Sequence, residues 1–124
     1  MKFKALLKEI ISLDGINLLK FVVDDIEIKV LILELNINLK KGDFAILYVK
    51  PTKLYVSKKR CEFENVVEVE IKNIKNGKIV SVIEGKFKNF DFEAIMLKEM
   101  VDLDNKGYLF FKSSDISILG KCND

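Results

Sequence analysis

The sequence repeats itself at half its length. A shift of 62 residues places a glycine, a leucine and a lysine of one half over the same residue types of the other: Gly15 over Gly77, Leu47 over Leu109, and Lys50 over Lys112. Because one shift without gaps brings these residue types into register together, the sequence predicts an internal duplication, with a first repeat over 1–60 and a second over 61–124. A domain of about 60 residues buries little apolar surface, so two packed repeats are the expected stable unit.

Each half has the pattern of several short β-strands. In the second half, apolar and charged residues alternate from Val67 to Ile71, and Asn76-Gly77 signals a tight turn before the next apolar run. About five strands per half is the content of a small antiparallel barrel, so we predict an all-β fold of two tandem OB-like barrels. A short helix is also compatible with the sequence at Ala5–Ser12, and the polar stretch 98–107 predicts a loop or a short helix.

The composition argues against several classes of protein. Histidine is absent, which removes the most frequent general base and a common metal ligand. Cys61 and Cys122 are too few for a zinc site or a disulfide framework, although a disulfide between these two stays open. No nucleophile and base can be paired from the remaining residues, so we predict neither an enzyme nor a metal site.

The N-terminal segment and the hydropathy of the chain point to the cytoplasm. Lys4, Lys8 and Glu9 interrupt the first apolar stretch, so no secretory signal is evident, and no apolar run approaches the roughly 20 residues of a membrane helix. We therefore expect a cytoplasmic protein with reduced cysteines and no membrane partner.

The charge balance does not favour nucleic acid as a partner. The formal net charge is +2, from 21 basic and 19 acidic residues, which provides no global attraction for a polyanion. The basic run Lys53–Arg60 is the best local candidate for an anion-facing patch, but a solvated connection is the simpler interpretation. OB-like barrels also bind single strands by stacking, for which the candidates here are Tyr48, Tyr55, Phe110 and Phe111. Core packing explains these aromatic residues more economically.

Both repeats interrupt a good strand with polar residues before their final apolar run. "YVKPTKLYV" (48–56) aligns with "FFKSSDISI" (110–118), and in each a lysine and small hydroxyl residues occupy the interruption: Lys50 and Thr52 in the first repeat, Lys112, Ser113 and Ser114 in the second. Hydroxyl residues favour a bend, which is the structural interpretation. The functional interpretation is that the lysine charge, a backbone N–H and a hydroxyl converge on an anion.

These repeat endings, the glycines and the stretch "FEAIMLKEMVDL" (92–103) resemble the TOBE or Mop domain. The doubled arrangement resembles a di-Mop molbindin, a type of small cytoplasmic molybdate-binding protein. The resemblance implies a pair of OB-like barrels that assemble into a homotrimer and bind molybdate or tungstate at subunit and repeat interfaces. It implies no organic cofactor and no catalysis, and it suggests a molybdate transporter or regulator as a further partner.

The resemblance also implies a set of ligands. The family's closing-strand lysine corresponds to Lys50 and Lys112, and the following backbone N–H corresponds to that of Ser113, whereas Pro51 has no N–H to offer. We add the neighbouring hydroxyls and one N-terminal lysine, so that the predicted oxyanion-binding residues are Lys50, Lys112, Ser113, Ser114, Thr52 and Lys2.

The chain departs from the family at other ligand positions. The family's repeat opens with Ser-Ala-Arg-Asn, but the second repeat has "EFEN", which retains Asn65 and places Glu62 and Glu64 at the serine and arginine positions. The first repeat has "MKF", which leaves Lys2 for the arginine. Leu97 and Met100 stand where the family has threonine and serine. Two hypotheses therefore stay open: oxyanion binding for storage, homeostasis or transport-linked sensing, and an interaction module that has lost its ligand.

Overall fold

The computed structural model describes residues 1–35 and 37–122, in which β-strands are joined by turns and three short 3-10 helices. The strands are β1 (Lys2–Leu13), β2 (Ile16–Val23), β3 (Ile26–Ile32), β4 (Phe44–Val49), β5 (Tyr55–Ser57), β6 (Asn65–Asn76), β7 (Val80–Phe87), β8 (Phe90–Leu97), β9 (Lys106–Phe111) and β10 (Ile116–Cys122). The 3-10 helices are Pro51–Lys53, Lys98–Met100 and Ser113–Asp115. None of the helices in these described residues is long and apolar enough to cross a membrane.

The strands form two curled five-stranded sheets, which confirms the predicted all-β fold of two OB-like barrels. Their spatial orders are β10-β4-β1-β2-β3 and β5-β9-β6-β7-β8. The stretch Ala5–Ser12 is part of β1 and not a helix, because its first residues alternate between buried and half-buried positions as a strand requires. The stretch 98–107 contains only the 3-10 helix Lys98–Met100 before β9 begins.

The last strand of each half of the sequence completes the sheet built from the other half. β5, from the first half, pairs antiparallel with β9, with Tyr55 opposite Phe110. β10, from the second half, is the neighbour of β4. One compact unit accordingly contains Met1–Lys2 and Val49–Lys112, and we call it barrel 2. The other, barrel 1, contains the described residues of Phe3–Tyr48 and of the segment that runs from Ser113 to Cys122. The sequence repeats 1–60 and 61–124 stay a prediction, and the compact units do not follow their boundary.

Strand pairing refines the alignment of the two repeats. A bulge at Lys8 interrupts the pairing of β1 with β2, and a bulge at Lys72 interrupts the pairing of β6 with β7. These residues are 64 positions apart, as are Asp24 and Lys88, which both have left-handed backbone in the following turn. The first three strands of each repeat are therefore equivalent at an offset of 64. The offset of 62 holds from the loop that contains Asp43 and Asn105 onward, and so includes β4 and β9. The glycine match at 62 does not join equivalent positions.

Each barrel has its own apolar core, formed by the inward-facing residues of alternating strands. Burying one large apolar side chain contributes about 1.5–3 kcal/mol before the entropy cost of ordering it. The largest fully buried side chains of barrel 1 are Phe3, Leu7, Leu19, Phe21, Ile28, Val30 and Leu47. Those of barrel 2 are Leu54, Ile83, Phe87, Leu109 and Phe111.

Gly85 lies in the middle of β7 in barrel 2, where two neighbours leave no room for a side chain. It is opposite Ile71 on one side and Phe92 on the other. A Cβ atom at this position would lie 2.1 Å from the Glu70 carbonyl oxygen and 2.7 Å from the Phe92 ring. The first contact is with backbone that is fixed by the β6–β7 pairing, so a side-chain rotation cannot relieve it.

We expect Gly85→Ala to lower the free energy of unfolding by about 2 kcal/mol or more, because overpacking of a fixed backbone forces the sheet to shift. Urea denaturation followed by circular dichroism measures the change. Gly120→Ala is the matched control, since this strand glycine has no atom within 4 Å of an added Cβ. Equal stability of the two variants would contradict the packing described for β7.

Candidate functional site

The first lysine turn (residues 50–53) lies in barrel 2 and follows directly after β4, a strand of the barrel 1 sheet. Lys50 has extended backbone, with φ −63° and ψ 145°, as expected for a residue before proline. The Lys53 N–H donates to the Lys50 carbonyl oxygen at 2.9 Å, which closes the 3-10 turn. Val49 before it and Leu54 after it are fully buried. The turn is therefore fixed at both ends while the Lys50 side chain is exposed.

The second lysine turn (residues 112–115) has the same construction. β9 ends at the fully buried Phe111, Lys112 is exposed, Ser113–Asp115 form a 3-10 turn, and the buried Ile116 begins β10. The Ser113–Asp115 turn packs on β3 of barrel 1, and the equivalent Pro51–Lys53 turn packs on β8 of barrel 2. The polar interruption in each repeat is thus a 3-10 turn, as the structural interpretation predicts, and it displays a lysine in both cases.

The predicted ligands differ in solvent exposure: one is buried and five are exposed. Ser113 is only 7% exposed and takes part in an interaction within the protein, so its side chain is the least accessible of the set. The other five predicted residues have exposed side chains: Lys50, Thr52, Lys112, Ser114 and Lys2.

The backbone register gives Lys2 a different place from the one predicted. The Val49 N–H donates to the Met1 carbonyl oxygen at 2.8 Å, just as Asn65 lies opposite Phe111 in barrel 2. Met1 is therefore the equivalent of Asn65, and Lys2 follows it and does not stand at the position of Glu64. The pairing nevertheless brings Lys2 to the end of β4 from which Lys50 continues.

The two turns differ in their local charge. The first contains Lys50 and Lys53 and no acidic residue. The second contains Lys112 together with Asp115. Asn65 and Phe111 are the last pair of the antiparallel β6–β9 pairing. The residue before Asn65, Glu64, therefore lies opposite the residue after Phe111, Lys112. Electrostatics is therefore more favourable for an anion at the first turn, where Lys53 adds a second positive charge and is not among the predicted ligands.

Neither turn lysine is neutralised by a neighbour. The ammonium groups of Lys50 and Lys112 form no ion pair with any residue in the part of the chain that the structure describes. Exposed lysines elsewhere do form such pairs, for example Lys72 with Glu70 at 2.8 Å. The charge of both turn lysines is consequently available to a ligand.

The alternative anion patch along Lys53–Arg60 is partly neutralised. Lys58 forms an ion pair with Asp102 at 2.9 Å, and this hydrogen-bonded carboxylate raises the pKa of Lys58. Lys59 and Arg60 are exposed. This arrangement agrees with a solvated connection between β5 and β6.

Three of the four aromatic residues predicted as stacking candidates are buried or half-buried. Phe111 is fully buried, Phe110 is 9% exposed, and Tyr48 is half-buried, which leaves Tyr55 as the exposed ring of the four. Stacking of successive bases needs several accessible rings. The core interpretation of Phe110 and Phe111 is correct.

The possible metal-ligating and thiol side chains are spread over the described residues. Within 1–35 and 37–122, no three residues with metal-ligating side chains come together. Cys61 is exposed and Cys122 is half-buried, and both are free thiols.

Comparison with known proteins gives a likeness in structure alone. No protein-family model matches the sequence, and no curated protein matches it. Among solved structures, the chain is similar to the cytoplasmic molybdate-binding protein ModG in a crystal form with molybdate bound. The TM-score is 0.84 at 13% sequence identity, over 95% of this chain and 94% of the other. At this identity the likeness shows the fold: the chain has a molbindin-like architecture over almost its whole length.

Proposed function

We propose that the protein binds a tetrahedral oxyanion, molybdate or tungstate, reversibly and without catalysis. The observation that carries this proposal is the fold shared with a molybdate-binding protein over 95% of the chain. In the cytoplasm such binding would serve storage, homeostasis or transport-linked sensing of the anion. Membership of the TOBE/Mop family, in its tandem form, is part of the same proposal.

The lysine turns supply the chemistry that an oxyanion needs. A dianion loses strong hydration when it enters a protein site, so several positive charges and aimed donors must replace the water. At the first turn these are the ammonium groups of Lys50 and Lys53 and the Thr52 hydroxyl, with Lys2 at the same end of β4. At the second they are Lys112, the Ser114 hydroxyl and the Ser113 N–H.

A homo-oligomer is part of this proposal, with a trimer as the expected form. Two exposed apolar positions recur at the offset of 64: Ile16 and Val80 are 45% and 41% exposed, and Leu33 and Leu97 are 72% and 50% exposed. Val80 lies opposite Leu97 in the β7–β8 pairing, so the two side chains are neighbours, and contiguous exposed apolar residues mark surfaces that associate. Light scattering of the protein in solution measures the state directly, and a strict monomer would remove this part of the proposal.

Calorimetry with molybdate, tungstate, sulfate and phosphate tests the oxyanion proposal. We expect molybdate and tungstate to bind the unmodified chain and sulfate to bind less well. Lys50→Ala should weaken binding by about tenfold, and Lys112→Ala by less, since one charge-assisted hydrogen bond contributes about 1.5 kcal/mol or more. Lys78→Ala, which changes an exposed lysine between β6 and β7, is the control. Binding that is equal in all three variants would contradict the assigned residues.

A substitution of Glu64 is expected to strengthen anion binding, whereas the lysine substitutions are expected to weaken it. A carboxylate near an anion opposes binding, and because Glu64 is exposed, solvent screening reduces this repulsion to about 1 kcal/mol. We expect Glu64→Gln to tighten molybdate binding by about tenfold if the second turn is occupied. Glu62→Gln, in the same segment but two residues farther from the strand, is the matched control. Unchanged affinity in Glu64→Gln would place the bound anion elsewhere.

A ligand-free interaction module is the second candidate. Glu64 opposite Lys112, Asp115 in the same turn, and apolar Leu97 and Met100 all reduce the number of favourable ligands. No heat with any of the four anions would favour this function, in which the barrels act beside a molybdate transporter or regulator.

A further inference from the structure

A lysine-lined groove lies in barrel 1, on the side of the β1–β2 bulge. Its volume is about 700 Å³. Four lysines line it: Lys8, Lys20, Lys40 and Lys41. Ile10 and Leu39 add apolar surface, and Glu9 and Glu27 are its acidic residues. We call this surface the basic groove; it contains none of the ligands assigned to the lysine turns.

The backbone brings these lysines together from distant parts of the sequence. The Gly42 N–H donates to the Leu7 carbonyl oxygen at 2.8 Å, and the Leu7 N–H donates to the Asp43 carbonyl oxygen at 2.8 Å. These two bonds fix the loop after Lys40 and Lys41 against β1. The next residue of β1 is the bulge residue Lys8. Gly42 makes the tight turn possible because its φ of +96° is unfavourable for residues with a side chain.

The acidic residues nearby leave the groove positively charged. Glu9 is within 3.7 Å of Lys20, its cross-strand partner. The Asp43 carboxylate accepts from the Lys40 N–H at 2.9 Å and pairs with Lys121 at 3.3 Å, and both interactions lower the pKa of Asp43.

The side-chain charges of three groove lysines stay unpaired. The ammonium groups of Lys8, Lys40 and Lys41 form no ion pair within residues 1–35 and 37–122. Four lysines against two glutamates give the lining a net positive charge.

Barrel 2 has the same backbone at this place but the opposite charge. The loop is held in the same way, since the Ile71 N–H donates to the Asn105 carbonyl oxygen at 2.9 Å. The bulge residue Lys72 is paired with Glu70, Glu84 stands in place of Lys20, and Asp102 stands in place of Lys40. A barrel of this type therefore folds without clustered lysines here, and the basic groove is a property of the first repeat alone.

We infer that the basic groove binds a small organic molecule that carries two or more phosphate groups. Its volume falls in the range of about 300–1,000 Å³ that is typical of small-molecule sites, and it is far larger than one tetrahedral oxyanion requires. Lys8, Lys40 and Lys41 supply charge for the phosphates, because unpaired ammonium groups form strong hydrogen bonds with phosphate oxygens. Ile10 and Leu39 supply apolar contact for the organic part.

The test is calorimetric titration of the full chain with ATP and with inorganic tripolyphosphate at low salt. We expect both to bind, ATP more tightly because its organic part contacts the apolar wall, and both less tightly as salt is raised. The double variant Lys8→Gln/Lys41→Gln should lose about tenfold or more in affinity for each probe. The matched control, Lys72→Gln/Lys78→Gln in barrel 2, removes the same charge and should bind as the unmodified chain does. Circular dichroism checks that each variant is folded, and Lys40→Gln replaces the double variant if that fails.

Three results would overturn the inference. One is that neither ATP nor tripolyphosphate binds at millimolar concentration. Another is equal loss of affinity in the groove variant and in the barrel 2 control, which would indicate nonspecific attraction to net charge. The third is tighter binding of a single-stranded oligonucleotide than of ATP, with the same dependence on Lys8 and Lys41, which would assign the groove to nucleic acid. Since the groove and the lysine turns share no residue, these outcomes are independent of those for molybdate.

Discussion

The exchange of closing strands is the constraint on which the other features depend. β4 and β9 each end at a buried residue, and the strand that follows in the sequence belongs to a different sheet. The chain must therefore leave the sheet after Val49 and after Phe111. A continuous strand could not do this, because its next residues would extend the same ladder. A short 3-10 turn fits at this point, and its first exposed residue is a lysine in both repeats.

This topology also explains how a three-residue strand is held in barrel 2. β5 pairs with β9 from Tyr55 to Ser57, and Leu54 and Val56 are buried in the core. On its other side, the Val56 N–H donates to the Met96 sulfur at 3.3 Å. The lysine turn is thus fixed by its neighbours in the core, so an anion that binds there would meet preorganised donors and lose less affinity to ordering.

The sequence predicted local structure well and non-local pairing poorly. Alternation of apolar residues predicted the strands, and the lysine and hydroxyl residues predicted a bend before β5 and β10. The exchange could not be predicted, because the alternating residues after the bend fit the edge of either sheet equally well. The offset of 64 between the first three strands was also not evident from the sequence. The segment that joins β8 to β9 is two residues shorter than the equivalent segment between β3 and β4, and this difference restores the offset of 62 before the lysine turns.

The residues of the candidate sites could likewise be predicted from the sequence only where local sequence pattern identifies them. Lys50 and Lys112 are found from the repeat itself, since they follow the same kind of strand in each half. Lys8 and Lys41 belong to different strands and loops, and only the hydrogen bonds between Leu7 and the loop at Gly42 and Asp43 bring them to one groove. The stretch "KKG" at 40–42 lies between β3 and β4, and the sequence alone does not indicate that it packs beside Lys8 of β1.

The most direct measurement of the strand exchange is nuclear magnetic resonance of the isotope-labelled chain, diluted with unlabelled protein so that contacts within one chain are selected. The account predicts cross-strand nuclear Overhauser effects between Tyr55 and Phe110 and between Ser57 and Tyr108. Effects that instead connect 55–57 with β4 (Phe44–Val49) would show that each repeat closes its own barrel. That result would contradict the topology described above.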